Sequence, residues 1–217
     1  MDKNRILALI LLILSFAASF FAYPYLPDKI AIHWNMEGNA DGFSGKAFGL
    51  FLVPIISIFF YMLLLLMPKI DPLKKNIDKF SGYYYGFINI FLAFMLYLHI
   101  ITIAQNSGFA FNMAYALIPA MAVLFFIVGM VLEKAKMNWT MGIRTPWTMS
   151  SENVWNKTHK LGAKCFKAAA VASLAGLAFP KYAFFVFMAA LILAGLVPVV
   201  YSYVEFAREK KAGKKRQ

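Results

Sequence analysis

The chain has 217 residues, 61% of them hydrophobic, and a formal net charge of +12. A soluble domain sits nearer half apolar, and a spanning helix takes about 20 consecutive apolar residues; several stretches supply such runs, so the excess belongs to a lipid-facing surface. The charge lies in loops and tails between those runs, which argues against a nucleic-acid-binding face and for the positive-inside bias of membrane proteins.

Six apolar segments are predicted, at 5–23, 47–67, 83–104, 113–132, 163–179 and 182–203. Hydrocarbon offers the backbone no partners, so each must be a helix; barrel strands would alternate apolar and polar residues, and these runs do not. The expected fold is all-α, a polytopic bundle of six transmembrane helices in a single membrane domain over 1–217. The first run follows Lys3 and Arg5, is long for a signal-peptide core, and has no small-x-small site before Tyr23, so it reads as an uncleaved anchor. The fifth is short and opens with Lys164 and Lys167. Its Ala168, Ala172 and Gly176 recur every four residues, a small-residue face suited to close helix packing.

Orientation follows from the basic residues. With the N-terminus inside, nineteen of the 22 lysines and arginines fall on the inner side, and only Lys29, Lys46 and Lys181 face out. The reading is N-in/C-in in the cell membrane. It gives an external loop at 24–46, a cytoplasmic loop at 133–162, and a basic cytoplasmic tail at 204–217 that meets anionic lipid headgroups.

The external loop reads PYLPDKIAIHWNMEGNADGFSGK. Ile30, Ile32 and Trp34 alternate with polar or small residues, which predicts a short extended segment, and Gly38, Gly42 and Gly45 punctuate turns. His33 and Trp34 pair a titratable imidazole with an amphipathic ring; the plainer alternative is an aromatic-belt residue beside a solvated histidine. Glu37, Asn39, Asp41 and Gly42 look like half a calcium loop, but its closing position falls on Phe48, so a turn held by Asx side chains accounts for them better.

The cytoplasmic loop contains NWTMGIRTPWTMSSENVWNKTHKLG. Arg144 has the planar fork that suits a carboxylate or phosphate, and Glu152 is a candidate partner. Trp147 and Trp155 belong either at headgroup level or packed under the bundle. Ser150 or Ser151 is the expected N-cap of a helix with Glu152 in its first turn and Val154, Thr158, Leu161 and Cys165 on one stripe. Glu152 and His159 share a face two turns apart, as a metal site or acid/base pair would, or as two structural residues would. No HExxH, GxSxG or Gly-rich phosphate loop accompanies them. The single cysteine, Cys165, reads as a packing residue, without metal-ligand spacing around it.

The spans hold few polar residues: Asn89, His99 and Thr102 lie in the third. An intramembrane histidine is a functional candidate, although His99 falls near the outer end, where it is expected to reach water. No span carries a central Asp, Glu, Lys or Arg, which weakens a transporter reading.

The two loops resemble those of the SdpI family of bacterial and archaeal membrane proteins. Pro27, His33, Trp34, Asn35, Gly38, Asp41 and Lys46 match its first-loop pattern. Its second signature is met by Gly142, Ile143, Arg144, Thr145, Pro146, Trp147, Thr148, Ser150, Glu152, Val154, Trp155, Thr158, His159 and Gly162. With the six spans, the resemblance covers nearly the whole chain. It implies non-enzymatic immunity to a secreted, membrane-active peptide toxin, and signalling by holding a transcriptional repressor at the membrane. No cofactor or metal is implied. Toxin would be met outside, at His33, Trp34, Asn35, Asp41 and Lys46. The cytoplasmic residues Arg144, Thr145, Pro146, Trp147, Glu152, Trp155 and His159 would lock the helices or dock a partner. The alternative is a membrane enzyme or a small-molecule or lipid binder built on Arg144, Glu152 and His159.

Overall fold

A computed structural model of the protein describes residues 3–214. The tail's Lys215 and Arg216 lie outside the described residues. The order of elements is α1 (Lys3–Ala22), β1 (Lys29–Trp34), β2 (Ala40–Gly45), α2 (Lys46–Ile70), α3 (Lys74–Asp78), α4 (Ser81–Asn106), α5 (Met113–Lys134), α6 (Pro146–Ser150), α7 (Glu152–Gly176) and α8 (Ala183–Lys214). The chain is mostly helical, as its long apolar runs require. The expected all-α class needs one amendment: β1 and β2 pair antiparallel into a hairpin. β-branched and aromatic residues alternating through Ile30, Ile32 and Trp34 favour the strand, and the glycines downstream allow the return.

Among the described residues, five helices are long and apolar enough to cross a membrane: α1, α2, α4, α5 and the stretch containing α8. The predicted fifth span falls in α7 up to Gly176, and α7 is not one of them. The reason is compositional. α7 begins eleven residues before the predicted span, at Glu152, and carries Lys157, Lys160, Lys164 and Lys167 in its first two-thirds.

The fold separates into two compact units, residues 1–65 with 85–121 and residues 66–84 with 122–217. In the first, α1 buries Ala8, Leu12, Ser15, Ser19 and Ala22, a mostly small stripe at helical spacing. Lipid tails give no hydrophobic drive between spans, so close approach over small residues and hydrogen bonds must hold them. Ser19 supplies both: its hydroxyl lies 2.8 Å from the Leu50 carbonyl on α2 and 2.8 Å from His99 Nε2 on α4. His99 is fully buried, so the expectation that it reaches water is corrected; the narrow stripe of α1 lets α4 close over it. Beside this node, Ala22, Leu26, Ile30 and Leu50 form an apolar cluster that anchors the hairpin's first strand.

In the second unit α7 and α8 run antiparallel. Gly162 lies against Pro198 and Gly176 against Val186. α7 buries Gly162, Ala163, Ala169, Ala170, Ser173 and Gly176. The small-residue face predicted at Ala168, Ala172 and Gly176 is therefore only partly right: Gly176 packs, while Ala168 is exposed and Ala172 half-buried.

Candidate functional site

Two motif-rich segments are candidates, one in each unit. The hairpin is built so that its framework residues are used up internally. Asn35 makes the turn: its side-chain oxygen accepts from the Asn39 amide at 2.9 Å and the Glu37 amide at 3.2 Å. Gly38, at φ +85°, continues it in a conformation open to glycine, and a Cβ there would collide with Asn112. Asn112 in turn donates to the Glu37 carbonyl at 2.6 Å. Asn106, at the end of α4, imitates a third strand: its side chain accepts from the Ala31 amide at 2.7 Å and donates to the Ala31 carbonyl at 2.9 Å. Lys46 donates to the Leu26 carbonyl at 3.1 Å, approaches Asp28 at 3.5 Å and sits over the Tyr23 ring.

What remains outside is a small chemical face. His33 Nδ1 lies 2.5 Å from Asp41 Oδ1, with 71% of the histidine side chain and 45% of the aspartate side chain exposed. The ladder sets His33 opposite Gly42, with register irregularities on both sides of the histidine. A Cβ on Gly42 would approach His33 Cβ to 2.8 Å; its absence gives the imidazole room beside Asp41. Met36 and Phe43 are exposed near this pair in the hairpin sequence, while Trp34 is half-buried with its indole N–H unbonded among the described residues. Of the five predicted outward residues, His33 and Asp41 are brought together on the surface. Asn35 and Lys46 are structural, and Trp34 lies between the two groups.

The 134–162 segment is arranged in the opposite way. Asp71, buried, gathers its start: one carboxylate oxygen accepts from Trp139 N at 2.9 Å and Thr140 Oγ1 at 2.6 Å, the other from Leu73 N at 2.7 Å. Asn138, fully buried, bonds Lys136 and Met141 carbonyls and the Thr140 and Met141 amides. Trp155 is fully buried and donates its indole N–H to the Ala135 carbonyl at 2.9 Å. His159 stacks on it, ring centroids 3.8 Å apart. Both imidazole nitrogens are engaged: Nδ1–H donates to the Trp155 carbonyl at 2.9 Å, so Nε2 is the acceptor for the Ile143 amide at 3.0 Å. Burial holds this histidine neutral, its pKa lowered to about 4. Gly142, at φ +136°, passes so close that a Cβ would lie 2.5 Å from His159 Nε2.

Thr145 and Thr148 close a capping box at the start of α6, with Pro146 in its first turn. Thr145 also reaches Ser202 on α8 at 3.0 Å, and Trp147 packs on Tyr203. Ser151 is the N-cap of α7 and, with Asn153, donates to Glu209. Of the predicted stripe, Val154 and Thr158 are buried and Leu161 and Cys165 half-buried. Arg144 is exposed and donates to the Trp139 carbonyl, and Glu152 is exposed at the start of α7. The expected Arg144–Glu152 pair is thus corrected: the carbonyl takes the guanidinium. The alternative built on Arg144, Glu152 and His159 loses its geometry as well, because the three do not bond to one another and His159 has no free nitrogen.

Sequence reading missed Asp71, Asn106, Asn112 and Asn138. Asp71, Asn106 and Asn112 meet partners 68 to 75 residues away, which no local pattern announces; Asn138 bonds within three residues of itself, in a loop whose turn has no repeating signature.

Residues 134–202 match the SdpI/YfhL protein family, and residues 10–58 match a domain of unknown function, DUF1648. The chain is 26% identical over 162 residues to the Immunity protein SdpI of Bacillus subtilis (strain 168), covering 75% of each chain. No solved structure matches. The similarity to the SdpI/YfhL family, read first from the two loops, is thus shown directly over residues 134–202 and, through the immunity protein, over three quarters of the chain.

Proposed function

We propose that this protein is a membrane immunity protein that protects its cell from a secreted, membrane-active peptide toxin, with the His33–Asp41 face of the hairpin as the toxin contact. The similarity to an immunity protein over three quarters of both chains carries the functional class. The exposed, hydrogen-bonded histidine and aspartate, on a hairpin whose Asn35 is spent on its own turn, support the location. Exposed Met36 and Phe43 offer apolar contact to an amphipathic peptide.

The reading includes six crossings with both ends cytoplasmic. The asymmetry of nineteen basic residues to three supports it, and it requires the apolar C-terminal part of α7 to cross with α8. Reporter fusions after Phe43 and after Arg144 test this: opposite sides are expected, and one shared side contradicts it. A cytoplasmic repressor would dock on the exposed Arg144 and Glu152 surface and the basic tail, while Trp155, His159, Thr145 and Thr148 hold the segment in shape.

The function is tested by expressing the full chain in toxin-sensitive bacteria and scoring survival under peptide challenge. Protection is expected; none, at confirmed membrane levels, contradicts the proposal.

A further inference from the structure

α7 carries four lysines in its first two-thirds, and they are not equivalent. Lys157 pairs with Glu205, and Lys167 bonds Glu133 at 2.6 Å. Lys160 and Lys164 are exposed and make no salt bridge among the described residues, although Lys160 lies within electrostatic range of Glu133. They stand one turn apart, and the next two residues at that spacing are Ala168 and Ala172.

Those alanines line an open groove between α7 and α8. Cys165, Ala168 and Ala172 form one wall, and Ala190, Leu193 and Val197 the other, around a volume of about 250 Å³. Because the helices are antiparallel, with Gly162 against Pro198, the Cys165 and Val197 end lies next to Lys164. The slot is apolar along its length and cationic at one mouth.

We propose that this groove binds one acyl chain of an anionic phospholipid, with the headgroup phosphate held by Lys160 and Lys164. Two observations select that occupant. The two lysines are the ones of α7 that make no salt bridge among the described residues, so the mouth carries positive charge. The walls are exposed and apolar, as a lipid tail requires. An ammonium on a flexible stem can track a mobile phosphate while its methylenes cover the slot's edge.

Full-length protein in detergent, mixed with equal amounts of phosphatidylglycerol and phosphatidylcholine of identical chains, is read by native mass spectrometry. The native chain is expected to retain one phosphatidylglycerol with roughly tenfold preference, since each lysine near an anionic surface contributes a modest attraction. The Lys160→Gln/Lys164→Gln double variant keeps the slot and should bind both lipids alike. Ala172→Phe fills the slot and should retain neither; Ala168→Leu replaces it if gel filtration shows aggregation. Equal retention by the native chain, or an undiminished preference in the double variant, overturns the proposal. So does a native dimer that slot filling converts to a monomer, which would give the groove to a second copy.

Discussion

The hairpin at 29–45 and the segment at 134–162 look alike as sequence, each dense in aromatic, imidazole and carboxylate groups, yet they spend those groups in opposite ways. The hairpin satisfies its backbone with asparagines and leaves His33 and Asp41 on the surface. The later segment buries Trp155 and His159 and consumes both imidazole nitrogens. A buried polar group without a partner is costly, so a buried histidine bonded on both sides is held for structure. An exposed imidazole–carboxylate pair adds little to stability and is free to serve a ligand. The two segments should therefore fail differently when mutated.

The largest effect is expected at Trp155→Ala, which removes a fully buried ring and orphans the Ala135 carbonyl. A loss of about 3–5 kcal/mol is expected, read as a fall in thermal midpoint in detergent. Asp71→Ala should cost about 2–3 kcal/mol, because it strips a buried carboxylate from two amides and a hydroxyl. A midpoint shift within error for either would show the segment is not locked as described.

Acid should act on the same segment. The folded His159 is held neutral, with a pKa of about 4 against 6.5 for the free side chain. Between those values the unfolded chain binds more protons, so stability contributed here is full above about pH 6.5 and is lost as pH falls towards about 4. His159→Gln should flatten that part of the stability–pH curve; an unchanged slope would place the titration elsewhere.

In the hairpin, Asn106→Ala should cost about 1–2 kcal/mol, freeing the Ala31 backbone and exposing the turn to proteolysis while the later segment stays protected. Equal protease resistance in mutant and native chains would contradict the pinning role.

The signals legible in sequence were those that repeat locally. Apolar runs mark the long helices, alternation at Ile30, Ile32 and Trp34 marks the first strand, and Ser150 or Ser151 marks the cap of α7, which is Ser151. α7 was harder, because its lysine-rich first part joins an alanine-rich second part in one continuous helix, so its composition matches neither a loop nor a span. The surface pair was half legible: both residues stood out by type, but a separation of eight residues becomes contact only through a turn with irregular register. The inward role of His159 was not legible, since the Ile143 amide and the Trp155 stack are set by the close passage of Gly142.

The most direct test compares protection with stability in His33→Ala and Asp41→Asn. Both side chains are exposed, so each substitution should change stability by less than about 0.5 kcal/mol and leave membrane levels intact. Both variants are expected to fold and to lose protection against the peptide toxin. Full protection by both would contradict the assignment of the hairpin face as the toxin contact.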